Sequence, residues 1–221
     1  MKSLVVFDLD GTLLNTIADL GMACNHALEQ MGYPPHPLSA YNFMVGDGIR
    51  KLLERAEPDA DPATIDKLLG YFREYYDAHC TDHTEPYPGI PQLLDDLVKK
   101  GIKVAVATNK YQSAAERIIQ HYFPQIPFVA VMGQIDGRQT KPDPSIIFAI
   151  LNDSPTPKAD VMMVGDSAVD IETARRACVG SVGVTWGFRP VSELRRAYAE
   201  HIVSNPMEIL KLATASSAEL P

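Results

Sequence analysis

Cysteine is scarce in this chain. Cys24, Cys80 and Cys178 are its three cysteines, widely spaced and odd in number. That excludes a disulfide framework and a paired-cysteine metal knuckle, and a reducing compartment is the default. Long apolar runs are missing too: none approaches the roughly 18 residues of a membrane-spanning helix. Positive charge is in short supply. Twenty Lys and Arg stand against 28 Asp and Glu, a net charge of -8, so a nucleic-acid partner, which usually meets a basic face, is not expected. The N-terminus offers one lysine and then a strand that already carries Asp8, which is not a signal peptide. A cytoplasmic protein with no membrane or nucleic-acid partner is expected, as monomer or homodimer. Its 221 residues, 46% of them hydrophobic, suffice for one cored domain, or one domain with an insert.

What is present begins at once. Val5-Val6-Phe7 reads as a buried parallel strand, and the stretch then runs Asp8-Leu9-Asp10-Gly11-Thr12-Leu13. Burying an unpaired charge is very costly, so this tip must face water, a cation or a ligand. In open α/β sheets, ligands bind just outside the carboxyl ends of strands. Two residues apart, Asp8 and Asp10 lean to one side of a strand, roughly 6.6 Å apart along the chain. A divalent cation fits between such a pair, and Gly11 permits a turn closed to most residues.

The period then changes. Asn15 or Thr16 is placed to cap a helix over about Ile17–Met31, stopped by Gly32 and Pro34. A glycine loop at Val45-Gly46-Asp47-Gly48 leads into a short helix through Leu52-Leu53. Another helix starts at Asp61-Pro62 and runs to about Cys80. Residues 15–84 thus read as a helical insert with no strand. Glu85-Pro86-Tyr87-Pro88-Gly89 reads as a hinge. Beyond it strands and helices alternate, the pattern of βαβ units. Strands are expected at Lys103–Ala107, Phe128–Met132, Asp160–Val164, Ser181–Thr185 and His201–Val203. Helices are expected at Ile90–Lys100, Ser113–Tyr122, after Asp143-Pro144, at about Val169–Cys178, from Val191 and around Pro206–Leu212. The tail Thr214–Pro221 is small and polar and is expected to fray. There is no internal repeat. The expected fold is α/β: a Rossmann-like parallel sheet flanked by helices, formed by residues 1–14 and 85–221, with residues 15–84 as an inserted α-helical domain.

Polar residues mark the strand tips and one loop end: Asp8 and Asp10, Thr108 and Asn109, Lys141, and Asp166, with Asp170 one helical turn further on. Their convergence points to phosphoryl transfer. A phosphomonoester dianion meeting several carboxylates would be repelled by several kcal/mol per pair at moderate dielectric, as an order of magnitude. Mg²⁺ held by Asp8, the Asp10 region and Asp166 would offset this, and Lys141 would add a third positive charge. Hard oxygen ligands suit Mg²⁺ rather than zinc. The Thr108 hydroxyl, where a strand feeds a helix, can hold phosphate oxygens, with Asn109 beside it.

The set resembles the haloacid dehalogenase superfamily of phosphatases. Asp8-Leu9-Asp10-Gly11-Thr12-Leu13 is similar to its first motif, Thr108 to the second, Lys141-Pro142 to the third and Gly165-Asp166-Ser167-x-x-Asp170 to the fourth. Residues 15–84 resemble the family's C1 cap. Val45-Gly46-Asp47-Gly48, Pro86-Tyr87-Pro88-Gly89 and Thr185-Trp186-Gly187-Phe188 are similar to its phosphoglycolate phosphatase branch. The resemblance implies an aspartyl-phosphate mechanism. Asp8 would be the nucleophile; Asp10 would protonate the leaving alkoxide and then deprotonate water. Thr108 and Lys141 would position and neutralise the phosphoryl group. Asp166 would bind Mg²⁺, with Asp8, Asp10 and Asp170 completing the metal region; Asp170 would hold a metal-bound water or orient Lys141. Dehalogenases of the superfamily lack an acid at the Asp10 position, so its presence favours phosphoryl chemistry. The substrate class implied is a small phosphorylated metabolite, 2-phosphoglycolate first among them.

Three other readings stand beside this one: a hexose-phosphate mutase of the same superfamily, a phosphonate-cleaving enzyme with a cap lysine as Schiff base, and a non-catalytic regulator that binds a metabolite or protein. Arg50, after the glycine loop, is the insert's candidate for a substrate carboxylate, with Lys51 behind it; the bland reading is a solvated face. The pair His79 and His83 lacks further ligands and reads as an ordinary helix end. The stripe Tyr71-Phe72-x-x-Tyr75-Tyr76 reads as packing inside the insert or against the sheet domain, and Trp186 as packing at a strand end.

Overall fold

The computed structural model describes residues 1–215. A sheet forms its centre: β1 (Leu4–Phe7), β4 (Lys103–Tyr111), β5 (Ala130–Gln134), β6 (Val161–Gly165), β7 (Gly180–Val184) and β8 (His201–Val203), in the order β5-β4-β1-β6-β7-β8. Every neighbouring pair is parallel. Strand β1 is central and wholly buried because all four of its residues are apolar. The chain first builds outward through β4 and β5, then returns to the other side of β1 for β6. Such a reversal opens a crevice at the carboxyl ends of the strands.

Side chains alternate across the sheet. Val5 and Phe7 join Val104, Val106, Met162 and Val164 on one face, under α4 (Ile90–Lys99), α5 (Gln112–Tyr122) and α9 (Pro206–Thr214). Leu4 and Val6 join Ala105, Ala107, Val161 and Met163 on the other, under α6 (Ser145–Asp153) and α7 (Ala168–Ala177). This three-layer arrangement is the α/β, Rossmann-like sheet flanked by helices that the alternating pattern implies. Helix α8 (Val191–Arg196) packs beside α7 through its buried Leu194.

Between β2 (Leu14–Asn15) and β3 (Glu85–Pro86) the chain is helical: α1 (Ile17–Gln30), a 3₁₀ turn at Leu38–Phe43, α2 (Ile49–Ala56) and α3 (Pro62–His79). Strands β2 and β3 pair antiparallel, Leu14 with Pro86 and Asn15 with Glu85, so entry and exit of this insert form one short neck. Buried Asp19 of α1 secures the exit by accepting from His83 N, Thr84 N and Thr84 Oγ1 at 2.7–3.1 Å. Asp61 caps α3 through Thr64 N, with Pro62 in the first turn. The apolar cluster on the α4 face runs unbroken into the insert through Leu13, Leu20, Leu52, Phe72 and Tyr76.

Several boundaries differ from expectation. Strand β4 continues four residues past Ala107, with a register shift between Ala107 and Tyr111, so Thr108 and Asn109 lie inside an extended segment. Strand β5 begins at Ala130, two residues later than the pattern suggests. Pro144 sits at the cap position of α6, and Asp143 accepts from Ser145 N one residue further out. Thr16 does occupy the cap position of α1, but its side chain makes no cap bond. Thr214 closes α9; the rest of the tail expected to fray, from residue 216, lies outside the described residues. No helix among the described residues is long and apolar enough to cross a membrane.

Candidate active site

Phe7 is level with Val106 of β4 and Val164 of β6. One residue on, Asp8 leaves the strand; two residues on stand Thr108 and Asp166. The register of three adjacent strands therefore delivers the polar tips together. Asp8, Asp166 and Asp170 are buried and offer carboxylate oxygens within 4.8 Å of one another. Lys141, from the loop before α6, has a side chain only 1% exposed and lies 3.0 Å from Asp8 Oδ1 and 2.7 Å from Asp170 Oδ1. Its Nζ also donates to the Ala107 carbonyl at 2.9 Å. One ammonium thus touches two members of a cluster of three carboxylates.

That imbalance governs the protonation of the group. Asp8 is raised to about 7: burial is the main cause, Asp170 and Asp10 add to it, and Lys141 works against it. Asp166 is raised well above the ordinary carboxylate range by burial first, then by Asp170 and Asp8. Burial alone would lower Lys141, but Asp170 and Asp8 outweigh it and hold the ammonium above its ordinary range. When all three acids ionise, two negative charges remain uncompensated. Hard oxygen donors with that deficit fit a hard divalent cation.

The acids are not equally free to serve one. Asp170 accepts from Lys141 through Oδ1, and its Oδ2 accepts from Ser167 N and Oγ in a capping box at the start of α7. Asp8 Oδ1 takes Leu9 N and Lys141, and Asp166 Oδ2 takes Phe188 N at 2.6 Å. Asp8 Oδ2 and Asp166 Oδ1 meet no donor among the described residues. Glycine makes these approaches possible: a Cβ at Gly165 would overlap Asp170, and one at Gly187 would overlap Asp166. Trp186 Nε1 donates to Thr12 O at 3.0 Å and pins the loop that carries Gly187 and Phe188.

The carboxylate of Asp10 points elsewhere. It accepts from Lys110 Nζ at 2.8 and 3.1 Å and from Thr16 Oγ1 at 2.7 Å. Lys110, whose side chain is 2% exposed, is a buried cation that the sequence reading passes over. Only the extension of β4 past Ala107, which the sequence does not announce, brings Lys110 to the same cavity as Thr108. Asn109, expected to bind substrate, is taken up by the protein. Its amide donates to Gly46 O and Lys141 O, and its Oδ1 accepts from Lys141 N. It positions Lys141 and ties the glycine loop down.

A cavity opens over Asp8, Asp10, Thr108 and Lys110. Its far wall comes from the insert: Leu20, Val45, Ile49, Leu52 and Tyr76. Arg50 is not part of it. That side chain lies exposed on α2 and pairs with Asp66. Lys51, likewise exposed, pairs with Glu54. His79 meets Asp82 and stacks on Tyr75, as a helix end does.

The family model described as haloacid dehalogenase-like hydrolase matches residues 5–184. A phosphoglycolate phosphatase of Agrobacterium fabrum is 35% identical over 195 residues, covering 86% of this chain and 84% of the relative. One of Aquifex aeolicus is 29% identical over 211 residues, covering 94% and 95%. A crystal structure from Lactobacillus delbrueckii, provisionally assigned as a phosphoglycolate phosphatase, superposes with a TM-score of 0.91 at 30% identity, over 98% of this chain and all of the other. The chain therefore belongs to the haloacid dehalogenase-like hydrolase family and groups with the phosphatases in it.

Proposed function

We propose that this protein is a Mg²⁺-dependent phosphomonoesterase that works through an aspartyl-phosphate, with 2-phosphoglycolate as its substrate. The observation that carries the reading is the buried cluster of Asp8, Asp166 and Asp170 around Lys141 at the strand tips. The relatives named phosphoglycolate phosphatase support the substrate. We assign residues 1–14 and 85–221 to the catalytic core and residues 15–84 to a cap over it.

Asp8 attacks phosphorus: an Asp8 oxygen–phosphorus bond forms as the ester P–O bond breaks. Asp10 gives its proton to the departing alkoxide. Water then attacks the aspartyl-phosphate, its proton passes to Asp10, and the Asp8–phosphorus bond breaks to release inorganic phosphate. Thr108 and Lys141 hold the phosphoryl oxygens. Asp8 and Asp166, with Asp10 and Asp170 behind them, would hold Mg²⁺, which would supply positive charge against the phosphoryl group. Asp170 keeps Lys141 aimed at Asp8, Asn109 holds the Lys141 backbone, and Lys110 with Thr16 orients Asp10. The insert excludes bulk water.

The test is phosphate release from 2-phosphoglycolate with Mg²⁺ and with EDTA, for the wild type and Asp8→Asn. The wild type should release phosphate only with the metal and the variant should release none. Activity in Asp8→Asn would reject the nucleophile. Isomerised sugar phosphate from a hexose 1-phosphate, without free phosphate, would point to a mutase instead.

A further inference from the structure

The mechanism leaves one feature of the cavity without a task. Tyr76 of α3 lines it, is wholly buried, and has a hydroxyl with no hydrogen-bond partner. A buried hydroxyl left unpaired carries its full desolvation cost. From the opposite wall Lys110 Nζ lies 4.8 Å from the Tyr76 ring centroid. An ammonium has three donors, and Asp10 is the sole acceptor they meet among the described residues. Each group has donor capacity left, and both residues line one cavity.

We propose that Lys110 and Tyr76 form the leaving-group subsite and that these two side chains together read the substrate's carboxylate. The inference rests on the phosphatase reading of the same site. Two spare donors suit the two oxygens of one carboxylate. Lys110 is the one cationic side chain lining the cavity among the described residues. The other insert residues on the wall are Leu20, Val45, Gly46, Gly48, Ile49 and Leu52, so beyond backbone groups at the two glycines no insert side chain but Tyr76 offers a sugar's hydroxyls a partner. A polyol buried there would lose water with little compensation. Burial, and Asp10 after it, hold the Tyr76 phenol well above its ordinary range, so it remains a neutral donor. Lys110, which already pairs with Asp10, would be the counter-charge to the substrate carboxylate as well. Arg50, exposed beside Asp66, has no part in this recognition.

The test compares 2-phosphoglycolate with 2-hydroxyethyl phosphate, which carries a neutral hydroxyl in place of the carboxylate. The full chain is assayed with Mg²⁺, and the readout is the ratio of kcat/KM for the two esters. The wild type should favour the acid. Tyr76→Phe keeps the ring that packs on Phe72 and Tyr111 and should lower the ratio about tenfold, the scale of one hydrogen bond to a charged group. Lys110→Gln should lower it further, and Lys110→Arg should restore part of it. The subsite is overturned if the wild type shows no preference, or if both esters decline in equal proportion in Tyr76→Phe and Lys110→Gln. In those outcomes the phosphatase reading stands. Wild-type protein that releases phosphate from neither ester overturns that reading, and the subsite with it.

Discussion

The two walls of the cavity are built differently. On the sheet side nearly every polar group is held by another: Lys141 by Asp8, Asp170 and Ala107 O, Asp10 by Lys110 and Thr16, Asp166 by Phe188 N. On the insert side the wall is apolar, with Tyr76 as its one polar side chain, and that hydroxyl is unpartnered. Groups that stabilise developing charge work best when fixed beforehand. A leaving group differs from ester to ester, so the wall that meets it gains nothing from bonds already closed within the protein. In this reading the sheet wall serves the reaction and the insert wall chooses among substrates. Variants in the two walls should therefore fail in different ways.

The largest effect is expected from Lys141→Met. The change removes the cation that Asp8 and Asp170 share beside Asp166, at nearly constant volume. In the proposed mechanism kcat should drop by about 10²–10³, as for loss of a preorganised charge-stabilising group. Without metal, stability at pH 8 should drop by about 3 kcal/mol, on the order of the cost of orphaning one partner of a buried ion pair. Urea unfolding at pH 8 and pH 5 checks this. At pH 5 the loss should be smaller, because Asp8 and Asp166 can take protons instead. A variant as stable and active as the wild type would show that the sheet wall is not built around this cation.

A smaller effect concerns the metal. Asp8 is raised from 3.8 to about 7 in the folded chain, and Asp166 is raised as well. Between these values the folded protein binds more protons than the unfolded one. Stability of the metal-free protein should then decline as pH rises from about 4 through about 7. Mg²⁺ binds the ionised acids, so it should restore what is lost at high pH and compete with protons at low pH. Thermal unfolding with EDTA and with Mg²⁺ should show a larger stabilisation at pH 8 than at pH 5. Equal shifts at both would mean that the cation binds away from these acids.

How far the sequence discloses this arrangement also differs between the walls. The sheet wall is legible because its signal is local: a short apolar run that ends in an acid or hydroxyl is a strand reaching a site, and Asp8, Thr108 and Asp166 all follow that rule. Asp170 is legible as a helix-start acid, and the capping box with Ser167 gives the reason. The partners of Asp10 are not local. Thr16 reads as a cap by position, yet its hydroxyl turns to Asp10. Lys110 is hidden by the early stop assigned to β4, since nothing in Thr108-Asn109-Lys110 announces that extended backbone continues. Asn109 lines the cavity, but its bonds to Gly46 and Lys141 span 63 and 32 residues. Tyr76 belongs to a stripe that reads as packing, and its ring does pack; that its hydroxyl lacks a partner appears only once the neighbours are in place.

The smallest effect is expected at Arg50, and it bears most directly on how the insert wall recognises substrate. Position in sequence makes Arg50 the obvious reader of a substrate carboxylate: a cation just past a glycine loop that reaches the site. Helix geometry decides otherwise. Ile49, Leu52 and Leu53 of α2 are buried, which leaves Arg50 on the solvent face, where its side chain is 47% exposed. Exposed ion pairs contribute about 0–1 kcal/mol, so losing the contact with Asp66 should leave the fold intact. In Arg50→Ala, KM for 2-phosphoglycolate should stay within about twofold of the wild type, with the same small change for 2-hydroxyethyl phosphate. A tenfold rise confined to the acid would mean that the insert brings Arg50 inward when substrate binds. Recognition would then come from the solvent face of α2, and the apolar wall with its single hydroxyl would not be the surface that selects the leaving group.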